Sequence, residues 1–148
     1  MALQNLQRSR SRAGSDGGTP RAVAVRMATL TDLIVWQLAE ELNAEVVRLS
    51  NQPPARRDFK FRNQILPAAS SIAANIAEGY GRRAHADFAR FIGIALGSLR
   101  ETETWIRDGI VRQFWTPDDA APALLLCKRL TVGLTRLRSY LRSTPTPK

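Results

Sequence analysis

The chain has 148 residues, 44% of them hydrophobic, and a single cysteine, which fits one domain with one contiguous core and excludes an intrachain disulfide or a cluster of thiolate ligands. No apolar run reaches the roughly 20 residues of a membrane-spanning helix and the first residues lack the apolar core of a secretory signal, so the sequence reads as a soluble, cytoplasmic protein with no membrane partner. Lys and Arg total 22 against 13 Asp and Glu, a formal net charge of +9, which favours polyanionic partners such as nucleic acid and is also compatible with a merely soluble basic protein.

Residues 1–28 are rich in Arg, Ser and Gly, with Arg8, Arg10, Arg12, Arg21 and Arg26 against one acid, Asp16. So little apolar surface cannot offset the entropy of ordering, and a disordered arm is expected. Several readings of the arm stay open: a passive tail, a loose phosphate contact, an organellar transit peptide, or a start-codon choice, since Met27 falls just before the first periodic segment.

Residues 29–143 carry apolar side chains at helical period. The first segment, from about Asp32 to Leu49, sets Leu33, Trp36, Ala39, Leu42, Val46 and Leu49 on one stripe, with Thr31 or Asp32 as N-cap and Pro53-Pro54 beyond its end. The second, about Asp58 to Glu78, repeats Phe61, Ile65, Ala69, Ile72 and Ile76, with Gly79 where a left-handed C-cap would fall. Pro67 removes a backbone donor and is expected to kink this helix or delay its start. The third begins between Ala84 and Asp87 and reaches about Gln113, with Phe88, Phe91, Ile92, Ala95, Leu99, Thr102, Trp105 and Ile106 inward. The fourth opens with Thr116 as N-cap, Pro117 at the first helical position and Asp118 and Asp119 in the positively polarised first turn. Leu126, Leu130, Leu134, Leu137 and Leu141 then repeat up to a flexible tail, 144–148. Nothing alternates with period two, so the fold class is all-α, an up-and-down four-helix bundle.

Small residues crowd the second helix (Ala68, Ala69, Ser70, Ser71, Ala73, Ala74, Ala77), while Gly93, Gly97 and Ser98 line the third. A mid-helix glycine costs about 1 kcal/mol against alanine, so two of them four apart mark a contact surface, either a helix crossing within the chain or a subunit interface. Asn75 and Glu78 lie on one face and are expected to be partly buried, Glu78 pairing with Arg82 or an arginine of another helix to fix the turn between the second and third helices. Ligand binding is the alternative role for that pair.

Chemistry finds little purchase in this pattern. Glu101 and Glu103 form an acidic cluster, but a carboxylate-bridged metal site in a bundle needs Glu-x-x-His pairs from facing helices, and His85, the sole histidine, has no glutamate three residues before it. Cys127 sits in a leucine-rich helix as a small core residue, Ser70, Ser71 and Ser98 have one imidazole to share, and Glu78-Gly-Tyr-Gly81-Arg82 lacks the spacing of a phosphate-binding loop. No enzyme, metal or cofactor is expected. Arginine forks grip phosphates and tyrosine can stack a base, which makes Arg62, Tyr80, Arg82, Arg83, Arg90 and Arg100, with Lys128, Arg129, Arg136, Arg138 and Arg142 on the fourth helix, the nucleic-acid-binding candidates; a solvated helix face is the alternative for the latter group. No recognition-helix motif appears, so such binding would be governed by phosphates. Trp36 and Trp105 fall in the core by phase, and Trp115, beside a turn, is the tryptophan expected to be exposed.

Gln64-Ile65, Ala68-Ala69-Ser70-Ser71-Ile72, Asn75-Ile-Ala-Glu-Gly79-Tyr80-Gly-Arg82, Phe88, Phe91 and Ile94-Ala-Leu-Gly-Ser-Leu99-Arg-Glu101, preceded by Leu30-Thr-Asp-Leu33-Ile-Val-Trp36-Gln, closely resemble the bacterial four-helix bundle proteins named for open reading frames in 23S ribosomal RNA intervening sequences. The likeness covers about residues 30 to 142. It implies a homo-oligomer, a ring of five bundles, with a basic surface and no established catalytic activity. A similar bundle serves as an accessory subunit of diversity-generating retroelements, where it binds a reverse transcriptase and nucleic acid, so a protein partner is the alternative to nucleic acid. The chain departs from that pattern at Leu66 and Pro67, where relatives commonly carry arginines, so a nucleic-acid role here must rest on Arg62, Arg82, Arg83, Arg90 and Arg100. The family's usual glutamate near the start of the third helix is Asp87.

Overall fold

Proline sets the first boundary in the computed structural model, which describes residues 30 and 33–148. Helix α1 (Ile34–Ser50) ends before Pro53, and the two prolines themselves open a one-turn helix, α2 (Pro53–Arg56), because proline is pre-organised for a first helical turn. Helices α3 (Phe59–Tyr80), α4 (His85–Val111) and α5 (Pro117–Ser143) complete the described residues, which contain no strand. The arm 1–28 and the caps Thr31 and Asp32 lie outside those residues; Leu33 holds the N-cap position of α1, with no side-chain cap.

Each long helix packs on the next, α1 on α3, α3 on α4 and α4 on α5, and α5 closes the cycle against α1. The inward stripes are those the period predicts. Leu42, Val46 and Leu49 of α1, Ile65, Ile72 and Ile76 of α3, Ile92, Leu99 and Ile106 of α4, and Leu130 and Leu134 of α5 are fully buried in one cluster, each contributing on the order of 1.5–3 kcal/mol by leaving water. Cys127 belongs to that core and desolvation pushes its thiol up to about 12.

Helix starts follow local chemistry. Asp58 accepts from the Phe61 amide at 2.9 Å, and Thr116 and Asp119 form a reciprocal capping box, the Asp119 amide donating to Thr116 Oγ1 at 3.1 Å. Pro67 neither delays nor interrupts α3. Both Pro67 and Asn63, whose carbonyl loses its helical donor, are exposed, so water can satisfy the orphaned acceptor. Pro122, inside α5, is also exposed.

Two glycine-related expectations are corrected. Gly79 is not a left-handed cap: α3 continues to Tyr80, Gly81 occupies the C-cap with φ −71°, and no described glycine has positive φ. Gly79 is instead buried where a β-carbon would stand 2.7 Å from Phe88 Cδ2 and 2.8 Å from Phe91 Cβ, so it lets α3 and α4 touch. Gly97 is not a crossing point within the chain, since a β-carbon there would meet nothing within 4 Å. The tight approaches fall at Gly109, against the Trp115 ring, and at Gly133, against Val35 Cγ1 at 2.9 Å.

The end of α4 explains a third correction. Gln113 takes φ 62°, its amide donates to the Ile110 carbonyl at 3.0 Å and the Phe114 amide to the Gly109 carbonyl at 2.9 Å, which is a Schellman turn with glutamine in the place glycine usually fills. That turn folds the chain back so that Trp115 lies flat on the last turns of α4. Trp115 is therefore buried, 4% exposed, with its indole N–H donating to the Ile106 carbonyl at 3.0 Å, whereas Trp36 and Trp105 are only half-buried.

Candidate nucleic-acid interface

The antiparallel order puts the end of α3, the start of α4 and the end of α5 at one end of the bundle. The last turn of α3 and the loop after it supply Glu78, Tyr80, Arg82 and Arg83; α4 supplies His85 and Arg90; α5 supplies Arg136, Arg138 and Arg142. Glu78 is exposed rather than buried and pairs with Arg82 at 2.7 Å, an i,i+4 contact that secures the α3–α4 turn. Asn75 is half-buried and satisfied within its own helix, donating to the Ser71 carbonyl at 2.8 Å.

Phe91 organises the arginines here. The Arg90 guanidinium lies 4.5 Å and that of Arg82 5.2 Å from its ring centroid, a cation–π arrangement that steadies both side chains without consuming their N–H donors. Tyr80 is half-buried, its ring edge-on to Phe88 at 6.2 Å, which makes it a wall of this end rather than a free stacking platform.

Between the start of α4 and the end of α5 runs a groove of about 730 Å³, with Arg90, Arg138 and Arg142 on its walls, Gly93 in its floor and no acidic residue in its lining. The Arg138 guanidinium carbon lies 3.4 Å from where a β-carbon of Gly93 would stand. Residues 144–146 cross from α5 to α4 and line part of the groove. The Thr144 carbonyl accepts from His85 Nδ1 at 2.8 Å, and Thr146 Oγ1 accepts from the His85 amide at 3.0 Å. The tail thereby caps α4, whose own N-cap residue, Ala84, has no side chain able to do so. Sequence reading missed this contact; the absence of a capping residue at position 84 was its only local signal.

Not all candidates converge on this end. Arg62 sits at the opposite end, where its Nη1 donates to the Ser50 carbonyl and to Asn51 Oδ1, so it closes the C-terminus of α1. Arg100, Lys128 and Arg129 are exposed in the middle of α4 and α5. Ser98 is half-buried and its carbonyl accepts from Thr102 Oγ1 at 2.8 Å. Glu101 is exposed, with Trp105 Nε1 at 3.5 Å, while Glu103 pairs with Arg107 at 2.8 Å. Among the described residues, His, Cys, Asp and Glu do not gather in threes able to hold a metal ion, and no helix is long and apolar enough to cross a membrane.

An all-α bundle rich in arginine defines the class as a small basic helical-bundle protein. The model of the 23S rRNA-intervening sequence protein family matches residues 31–136, and the chain belongs to that family. Its fold is similar to the crystal structure of a protein of unknown function from the S23 ribosomal protein family of Bacteroides thetaiotaomicron VPI-5482, with TM-score 0.66 and 24% identity over 72% of this chain and 96% of that one. No curated protein matches the sequence.

Proposed function

We propose that this protein is a non-enzymatic nucleic-acid-binding bundle that holds RNA or DNA by its phosphates, with little sequence preference, at the end where α3 stops and α4 starts. One observation carries the reading: Arg83, Arg136, Arg138 and Arg142 have no ion-pair partner among the described residues, and Glu78 and Asp87 are the acids close to them in α3 and α4. Guanidinium groups so placed present paired N–H donors that match phosphate oxygens. The protein works as a cytoplasmic homo-oligomer, a pentamer by resemblance to its family, for which the open Gly97 and the 43% exposed Ile94 on α4 offer a contact face. Filter binding with duplex DNA, single strands and structured RNA across salt concentrations tests the proposal. Retention that weakens steeply as salt rises supports it, because phosphate contacts release counterions; no retention near 50 mM salt, or indifference to salt, overturns it. Light scattering gives the subunit number.

A second reading, a scaffold or accessory subunit for a protein such as a reverse transcriptase, draws on Leu125 and Val132, 58% and 46% exposed on α5 near Lys128 and Arg129. A retroelement cassette beside the gene would favour that reading.

A further inference from the structure

We propose that the groove between the start of α4 and the end of α5 is a pocket for a phosphate monoester, the terminal phosphate of a nucleic-acid strand or the phosphate of a free nucleotide. The strand form rests on the function proposed above; the pocket itself does not. Arg138 and Arg142 of α5 and the side chain of Arg90 of α4, whose guanidinium lies over the neighbouring Phe91, line the groove, and no carboxylate stands among the described residues of its lining. Asp87, the acid of the first turn of α4, is exposed and does not line it. A small dianion is the complement of such charge.

Arg138 supplies the second observation. Its Nε is buried and has no hydrogen-bond partner among the described residues, which is uncommon for so strong a donor. The guanidinium lies against Gly93, and Arg138 also lines the neighbouring depression formed by Thr135, Ser139 and Ser143, so this residue borders both hollows.

Charge selects the phosphate's position in its molecule. The tail pinned on His85 by Thr144 and Thr146 bridges the two helices beside the groove. A terminal monoester carries about two negative charges where an internal phosphodiester carries one, so the groove favours strand ends and mononucleotides, while the surface arginines around it serve the internal phosphates.

The test measures binding of one single-stranded RNA, made with a 5′-phosphate or a 5′-hydroxyl, to the full chain by fluorescence anisotropy. The phosphorylated strand should bind about tenfold more tightly, the size of one good charged contact. Arg138→Gln and, independently, Arg142→Gln should erase that preference, bringing the two strands to one common, somewhat lower affinity, while the thermal unfolding curve stays in place. Arg129→Gln, outside the groove, should keep the preference. Equal binding of the two strands by the wild type would overturn the pocket while leaving the wider nucleic-acid reading intact. If neither strand binds, the arginine Nε–H spectrum during titration with inorganic phosphate and with AMP decides: an Arg138 shift sustains the pocket as a nucleotide-phosphate site, and an unmoved signal removes it.

Discussion

The two ends of the bundle are built from the same materials, aromatic rings and arginines, yet they use them oppositely. At the end formed by the close of α1, the start of α3 and the α4–α5 turn, Phe61 packs edge-on against Trp105, Phe114 and Trp115 with centroids 5.0 to 5.8 Å away. More of the cations there are matched: Arg48 pairs with Glu45, Arg107 with Glu103 and Arg112 with Asp108, and Arg62 closes α1, while Arg56, Arg57 and Lys60 are exposed with no ion pair among the described residues. At the other end a single ion pair among the described residues, Arg82 with Glu78, serves the turn, and Arg83, Arg136, Arg138 and Arg142 have none. Aromatic rings lock one end; at the other, Phe91 packs over Gly79 and also steadies charges. Stability and binding should therefore separate along the long axis of the molecule.

Trp115→Ala is the strongest way to break that contrast. It opens a cavity and strips Gly109 of its cover, so a loss of about 3–5 kcal/mol is expected in urea unfolding, with salt-dependent binding by the folded fraction unchanged. Gly79→Ala comes next. The β-carbon must displace Phe88 and Phe91, an overpacking expected to lower stability by about 1–3 kcal/mol, and because Phe91 carries Arg82 and Arg90 it is the one core change that should also weaken nucleic-acid binding. Replacing Arg83 and Arg136 together by glutamine should lower affinity about tenfold and flatten the slope of log K against log salt by up to about two, with unfolding moved by less than about 0.5 kcal/mol. Thiol chemistry gives a graded effect: the folded state holds Cys127 neutral, between the ordinary 9.0 and about 12, so its contribution is intact below pH 9 and is lost as pH rises through that interval. A thiol reagent at pH 8 should thus react with Cys127 only at the rate of unfolding. The smallest effect is a gain: Gln113→Gly relieves a left-handed backbone and should add about 0.5–1 kcal/mol.

Local, periodic features were legible in the sequence. The leucines of α5, the Thr116 N-cap and the buried Cys127 follow from spacing and side-chain chemistry alone. What escaped depends on residues far apart in the chain. A glycine near a helix end looks alike whether it caps or packs, and only the return of Phe88 and Phe91 over Gly79 tells which. Trp115 was misplaced because glutamine does not advertise the left-handed turn that tucks it inward. Charge counting treats Arg62 like its neighbours, although the Ser50 carbonyl twelve residues earlier claims it. The groove was hidden for the same reason, since Arg90 and Arg142 meet only after two antiparallel helices have docked. Assignment of arginines to phosphate from sequence is thus secure in charge and weak in position.

His85 turns that dependence on docking into a readout. Its amide is protected by Thr146, 61 residues away, and not by its own helix, so deuterium uptake at this one backbone site clocks separation of the α5 end from α4. An amide deep in α4 would exchange only through global opening. Comparing the two rates would say whether the clasp lets go before the rest of the fold does.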